Sequence, residues 1–364
     1  MKTGKYILTI NPGSTSTKVA LFMDKQNVHQ KNLSHSAEEL EKFDQVVDQY
    51  QYRLDIILDW LRETGTDLDS LDAVVGRGGL LAPIPGGTYK VTPGMIDDLR
   101  KAARGEHASN LGAMLAKGIA DQAGVPAFIV DPVSVDEFDD IARISGLPEL
   151  PRRTLSHALN IKAVAHRVAK EEGRPLDDLR LIMVHLGGGI SIAPVKDGRM
   201  IDVNGANDQG PFSPERAGGV PTGALVKIAY SGKYSFGELK KKVIGKAGLV
   251  GYLGTNDARE VEKMIEQGDQ RAALVFRAMA YQISKEIGAM ATVLKGKVDY
   301  IVLTGGLAHS ERLVSMIKGM IGFIAPVKVH AGEDEMRALA EGAYRVISGE
   351  ENAKIYEEEV KQID

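Results

Sequence analysis

The sequence predicts a duplicated α/β fold, two domains with a cleft between them, and three observations carry that reading. One strand–polar loop–strand hairpin stands in each half of the chain. The first is Tyr6–Ile10, a loop over 11–17 and Lys18–Met23; the second is Leu181–Leu186, Gly187–Gly189 and Ile190–Ala193. Short apolar runs alternate with segments whose apolar residues recur at three and four, so strands alternate with amphipathic helices. Finally, 364 residues suffice for two domains of ordinary size, each with its own core.

The central hairpin reads LIMVHLGGGISIAP over Leu181–Pro194. Side-chain-free Gly187, Gly188 and Gly189 expose a run of backbone N–H groups, a concave donor surface that suits phosphate. His185 stands at the end of the apolar strand, either as a satisfied histidine of a plain hairpin or as a ligand group. The N-terminal hairpin repeats the device with different chemistry. Asn11, Ser14, neighbouring hydroxyls and Lys18 stand where the central loop has glycines and a histidine.

Composition removes several function classes. Hydrophobic residues make up 43% and charged residues 26%, the balance of a globular protein. The net charge is −4 and no Lys/Arg run occurs, which argues against nucleic-acid and membrane-surface partners. Without cysteine there is no disulfide, thiolate metal site or Cys nucleophile. The run Tyr6–Ile10 is too short for a signal peptide and nothing approaches transmembrane length, so a cytoplasmic protein is expected. No G-x-x-x-x-G-K-[ST], G-x-G-x-x-G or zinc spacing is present.

In chain order, Ala37–Thr64 has helical periodicity throughout. A strand over Ala73–Gly76 ends in Arg77-Gly78-Gly79, where the backbone can approach a ligand or the arginine can simply be a surface one. PIPGG at Pro83–Gly87 is a loop, and Thr92-Pro93 caps the next helix. His107, Ser109 and Asn110 precede the helix Leu111–Gln122 and read as caps or as an anion site, capping alone leaving His107 unexplained. Asp131 ends the strand Ala127–Val130, as an orienting acid or a turn aspartate. The two prolines of 146–151 mark a boundary between halves. A helix then runs from His157 to about Glu172, and Gly198–Asn207 supplies a third strand.

Arg216 lies at the centre of the Gly/Pro loop 210–219 and reads as an anion clamp. Helices follow over Thr222–Ser231 and Phe236–Ile244, with a loop over 251–257. Another helix begins at Asp257 with Arg259 one turn in, and a long one covers Ala272–Leu294, apolar on most faces. The strand Tyr300–Leu303 runs into Thr304-Gly305-Gly306, where a ring or phosphate can lie on the backbone. A last strand, Val327–His330, meets Glu333, Asp334 and Glu335 before closing helices over 336–347 and 353–363.

With these residues laid out, nearly the whole chain resembles the acetate and butyrate kinase family of the actin-like phosphotransferase superfamily. The resemblance rests on INPGSTSTK at 10–18, VVGRGG at 74–79, PGGTYKVTPGMIDDL at 85–99, GEHASNLG at 105–112 and LSHALN at 155–160. It continues in VHLGGGISI at 184–192, GPFSPERAGGVPTG at 210–223, TNDAREV at 255–261 and TGGLAHS at 304–310. It implies two actin-like (ribonuclease H-like) domains with mixed sheets flanked by helices. The N-terminal domain would hold 1–150 and about 338–364, and the nucleotide-binding domain 151–337. The implied reaction moves the ATP γ-phosphoryl group to a short-chain carboxylate with Mg2+, in a homodimer or higher homo-oligomer.

Position by position, the resemblance assigns Arg77, Asp131, His185 and Arg216 to catalysis. Asn11, Ser14, Lys18, His107, His157 and Gly187–Gly189 would bind substrate or phosphate, and Asp257, Arg259, Gly305 and Gly306 the nucleoside end. Asn11 with Glu335, or Glu333, would serve magnesium, and Val133, Leu80 or Pro83 would line the acyl pocket. Two departures from acetate kinases fit a butyrate-type member: Gly188 stands where an asparagine is usual, and Arg153 where a histidine is. An acetate or propionate kinase, a sugar kinase of the same superfold, and a non-catalytic ATP-binding regulator or filament former are the competing readings.

Overall fold

A computed structural model describes residues 4–360. Its described residues divide into two compact units: 4–136, 158–163 and 334–360 form the first, and 137–157 with 164–333 the second.

The first unit is built on a seven-stranded mixed sheet. Its strands are β1 (Tyr6–Pro12), β2 (Ser16–Met23), β3 (Gln26–Ser34), β4 (Ala73–Arg77), β5 (Thr88–Lys90), β6 (Ala127–Val130) and β12 (Lys354–Ile355). They lie in the order β12-β5-β6-β4-β1-β2-β3. The second unit holds a five-stranded sheet of β7 (Leu181–Leu186), β8 (Ile190–Lys196), β9 (Arg199–Met200), β10 (Tyr300–Gly305) and β11 (Val327–Ala331), ordered β11-β10-β7-β8-β9.

Duplication is visible in the directions of the strands. In β6-β4-β1-β2-β3 the first two pairings are parallel and the last two antiparallel. In β11-β10-β7-β8-β9 the sequence of pairings is the same. Parallel neighbours need a crossover, and the helical segments between β1–β3, β4 and β6 supply it. In the first sheet, period 2 sorts the side chains onto two buried faces. Leu8, Ile10, Val74 and Ile129 pack with Leu111, Leu115 and Ile119 of the helix Leu111–Ala123. Ile7, Val75, Phe128 and Val130 pack with Met336, Leu339 and Ala343 of the helix Glu335–Ile347. Both faces are covered, so these strands read as continuous apolar runs. In the second unit Ile182, Val184, Ile192, Ile301 and Leu303 pack against Phe276, Met279 and Ile283 of the helix Gln270–Val293.

Several expectations change. β3 was not foreseen: QNVHQKNLS carries almost no apolar pattern, and all but Leu33 of it is exposed. Its pairing with β2 along the sheet edge makes it a strand. The N-terminal loop is shorter than 11–17, because β1 runs to Pro12 and β2 starts at Ser16. The helical stretch Ala37–Thr64 comes in three pieces, a single α-helical turn at Ala37–Leu40, a 3₁₀ turn at Val46–Gln49 and the helix Tyr50–Glu63. Gly198–Asn207 holds only β9, and Gly248–Leu253 is helical where a loop was expected. The long helix is not buried all round: Leu274 and Tyr281 are exposed, because one face alone meets the core. Residues 354–359 form β12 and one helical turn instead of the helix 353–363, whose last residues lie outside the described range. No helix among the described residues is long and apolar enough to cross a membrane.

Candidate active site

In the first unit the ends of β1, β2 and β4 converge on a cavity of about 420 Å³ lined by Asn11, Lys18, Arg77, His107, Glu335 and neighbours. Strand register explains the meeting. Asn11 lies opposite Lys18, and Lys18 opposite Asn32, so the three form a row across β1, β2 and β3. Asn32 also lines the cavity and was missed with its strand. Arg77 ends β4 where Gly76 and Gly112 let the strand touch the helix Leu111–Ala123. A Cβ on Gly76 would fall 2.0 Å from the Gly112 carbonyl oxygen, and one on Gly112 would fall 2.1 Å from that of Arg77.

Arg77 Nη2 lies 3.5 Å from Glu335 Oε1, while the Asn11 amide donates to Glu335 Oε2 at 2.5 Å. Arg77 Nη1 is buried with no hydrogen-bond partner among the described residues, an unmet donor beside the cavity. Leu80 and Val133 supply apolar wall; Pro83 does not line it. His107 is itself the cap that sequence reasoning left unexplained. Its Nδ1 accepts from the Ser109 N–H at 3.1 Å, and burial, then Arg77, lowers its pKa. Asn110 instead accepts from the Leu80 N–H and donates to the Gly105 carbonyl. Ser14 is exposed and lies outside the lining, where Ser16 stands. Asp131 is buried, in the left-handed region at φ 37°, and its Oδ1 accepts the Gly87 N–H at 2.7 Å. It therefore holds the Pro83–Gly87 loop.

In the second unit His185 and His157 stack, ring centroids 3.9 Å apart and 13° from parallel. His157 Nδ1 lies 2.9 Å from Ser191 Oγ, and Ser191 is the register partner of His185 on β8. His185 is 1% exposed; burial, and next His157, holds its pKa well below the usual 6.5, so the ring is neutral at pH 7. Glu333 Oε2 is 3.9 Å from His185 Nε2.

The glycine turn is closed by its own backbone. None of Gly187, Gly188 and Gly189 has a positive φ, and the Gly187 N–H closes the turn on the Gly189 carbonyl at 3.2 Å. What the glycines provide is room: a Cβ on Gly189 would lie 2.1 Å from Arg216 Nη1. Arg216 is held by a tight turn in which the Ser213 N–H donates to its carbonyl and its own N–H donates to Ser213 Oγ. The Ser213 hydroxyl donates onward to the Gly188 carbonyl at 2.5 Å, tying the arginine loop to the glycine loop. Gly305, at φ 86°, lets β10 pass over Leu186, whose carbonyl oxygen would lie 2.4 Å from a Cβ there; Gly306 opens a 3₁₀ turn. Asp257 caps the helix Ala258–Glu266 and pairs with Arg259, which depresses its pKa to about 2.

The chain is similar over nearly its whole length to known proteins. The acetokinase family pattern matches residues 150–356. The chain is 54% identical over 350 residues to probable butyrate kinase 2 of Caldanaerobacter subterraneus subsp. tengcongensis, covering 96% of this chain and 99% of that protein. Butyrate kinase 1 of Clostridium acetobutylicum is 52% identical over 351 residues, with the same coverage of 96% and 99%. Among solved structures, the acetate kinase of Porphyromonas gingivalis superposes with a TM-score of 0.79 at 20% identity, over 94% of this chain and all (100%) of that one. At that identity the likeness speaks for the fold.

Proposed function

The chain belongs to the acetokinase family, and we propose that it is a butyrate kinase, moving the γ-phosphoryl group of ATP reversibly to butyrate. The observation that carries the chemistry is the buried, unpartnered Nη1 of Arg77 beside a cavity walled by Leu80 and Val133. A guanidinium with an unmet donor next to apolar surface suits a carboxylate with a short alkyl tail.

A carboxylic acid titrates near 4.3, so the acceptor is ionised at neutral pH and no general base is required. One carboxylate oxygen bonds to the γ-phosphorus while the bond to the β–γ bridging oxygen breaks. The electron pair departs with ADP and no proton moves. The work left to the protein is bringing two anions together and stabilising charge on the phosphoryl oxygens. In this reading Arg77 takes the acceptor carboxylate, and Arg216 takes phosphoryl charge. His185 acts as a neutral N–H donor, oriented by the His157 stack, and Lys18 and His107 support the phosphate. Asp131 acts through the Pro83–Gly87 loop, and Gly187–Gly189 clear space for donors. Asp257, Arg259, Gly305 and Gly306 face the nucleoside end.

The family chemistry implies magnesium. No group of three or more His, Asp or Glu that could hold a metal occurs among the described residues. Glu335, whose Oε2 accepts from the Asn11 amide nitrogen, would offer carboxylate oxygen to Mg2+, with the Asn11 amide oxygen, phosphates and waters completing an all-oxygen shell. Once bound, the ion would withdraw charge from the phosphate oxygens. Glu335 is preferred over Glu333 because it shares hydrogen-bonding range with Asn11 and Arg77.

The test is acyl phosphate trapping by hydroxylamine with ATP, Mg2+ and acetate, propionate, butyrate, isobutyrate or a hexose. Hydroxamate strongest with butyrate is expected. Strongest with acetate would move the acyl preference; none with any acid would sink the reading.

We also infer a homo-oligomer. The helices Thr222–Ala229 and Phe236–Val243 bury no residue and leave Tyr230 89% and Phe236 84% exposed, apolar surface that a second copy would cover. Light scattering of the wild type should give a multiple of the chain mass, and Tyr230→Glu with Phe236→Glu should lower it.

A further inference from the structure

We infer that Arg53 is a positioning residue for the phosphate loop at 13–16; this rests on the reading that the loop meets the transferring phosphoryl group. Arg53 sits one turn into the helix Tyr50–Glu63 and is 1% exposed. Its guanidinium reaches the loop through a fan of bonds. Nη1 donates to the carbonyls of Gly13 at 2.9 Å and Ser16 at 3.3 Å and to Thr17 Oγ1 at 3.0 Å. Nη2 donates to the Ser14 carbonyl at 3.4 Å, and Nε and Nη2 both donate to Gln49 Oε1, at 3.1 and 2.8 Å. The remaining loop carbonyl, that of Thr15, accepts the His35 N–H at 2.9 Å.

Every carbonyl from Gly13 to Ser16 is thus engaged by the protein. The N–H groups of Ser14 and Thr15 have no partner among the described residues. A peptide carbonyl turned toward phosphate repels it, and a free N–H attracts it. Drawing the carbonyls onto one guanidinium therefore gives the loop a donor face. Thr17 Oγ1, which accepts from Arg53, also lies 2.9 Å from Nε2 of the buried His35, whose pKa is lowered to about 4 so that the ring is neutral at pH 7.

No carboxylate pairs with Arg53 among the described residues; its partners are three carbonyls, one hydroxyl and one amide oxygen. Its charge stays uncompensated behind the loop, where it favours an anion in front. Burial lowers its pKa to about 10, which leaves it protonated at neutral pH. Lysine would keep the charge but not the fork, because a single ammonium cannot span these acceptors.

The test measures kcat and KM for ATP and butyrate, with melting temperature, for wild type, Arg53→Lys, Gln49→Leu and Leu61→Ala. Leu61 lies on the same helix in the core, away from the loop, and serves as the stability comparison. Arg53→Lys should lower kcat by about 100-fold, the scale of a misplaced reacting group, while KM for butyrate moves less than about threefold. Gln49→Leu keeps the charge and frees its aim, and should lose about tenfold in kcat. Leu61→Ala should melt earlier yet keep kcat within about twofold when assayed while folded. A folded Arg53→Lys with wild-type kcat would overturn the inference alone. If Arg53→Lys does not fold, Gln49→Leu decides, and wild-type kcat there overturns it equally. A wild type that makes no acyl phosphate removes the kinase reading and this inference together.

Discussion

The two hairpin loops occupy equivalent places in two sheets of the same topology, yet they divide the work in opposite ways. The N-terminal loop carries its own polar side chains, and the charge that shapes it is buried behind, on Arg53. The central loop carries no side chains at all. Its glycines make way for groups delivered from elsewhere, the Arg216 guanidinium above all. A Cβ on Gly13 would sit 3.4 Å from the Ser16 carbonyl oxygen, an ordinary contact, whereas one on Gly189 would sit 2.1 Å from Arg216 Nη1. The two units thus share the strand pairing around the loop while the source of the donors differs. One loop is a donor surface stretched over a cation; the other is a gap through which a cation reaches.

The sharpest way to break this contrast is to remove the delivered cation. Arg216→Ala should cost about 3–4 kcal/mol of transition-state stabilisation, by analogy with loss of an oxyanion donor. Steady-state kcat on a variant that melts near the wild type is the check, and near-normal turnover would strike Arg216 from the mechanism. Next in size is a methyl in each loop. Gly189→Ala should displace the guanidinium and cost at least about tenfold in kcat, and Gly13→Ala should cost clearly less, because only the first must evict a neighbour. Equal losses would mean that the glycines do the same job in both loops.

Support beneath each loop gives a smaller, thermodynamic contrast. Thr17→Val removes the hydrogen-bond partner of the buried His35 Nε2 and one acceptor of Arg53 and should cost about 1–3 kcal/mol in stability. Ser213→Ala loosens the tie between Gly188 and the arginine turn and should cost about 1 kcal/mol in stability but more in kcat. Denaturant unfolding beside steady-state kinetics separates the two patterns.

The smallest effect is the response to pH. His35 is lowered to about 4, by burial first and then by Arg53. A base whose folded pKa is lowered takes up its proton more readily when unfolded. Its stabilising contribution is therefore complete above the unfolded value near 6.5 and is lost as pH falls toward 4. His185 acts in the same direction. The melting temperature should fall between pH 6.5 and 4, and His35→Gln should flatten that slope by one group's share. An unchanged slope would mean that His35 already carries a proton in the folded protein.

Much of the site was legible because its motifs stand where strands end, and a strand end followed by Gly or Pro is visible in local pattern. Asn11, Arg77, His185 and Arg216 become candidates in that way or through the family resemblance that those motifs carry. Asn32 does not, because β3 is polar throughout and is a strand only by pairing with β2. Arg53 does not either: within a periodic helix that also carries Asp55, Asp59, Arg62 and Glu63, one more charged residue reads as a solvent position. Its burial depends on carbonyls supplied by a loop some forty positions earlier in the chain, with sequence separations of 40, 39 and 37.

The sequence by itself determined the paired hairpins, the alternation of strands and helices around them and the glycines at the strand ends, since all follow from side-chain period and local backbone freedom. Tertiary structure alone decided what those glycines make room for, which way the loop carbonyls turn, and that His185 is neutral. Those properties are set by neighbours distant in sequence, through steric exclusion, hydrogen-bond direction and desolvation, and none of the three has a period along the chain.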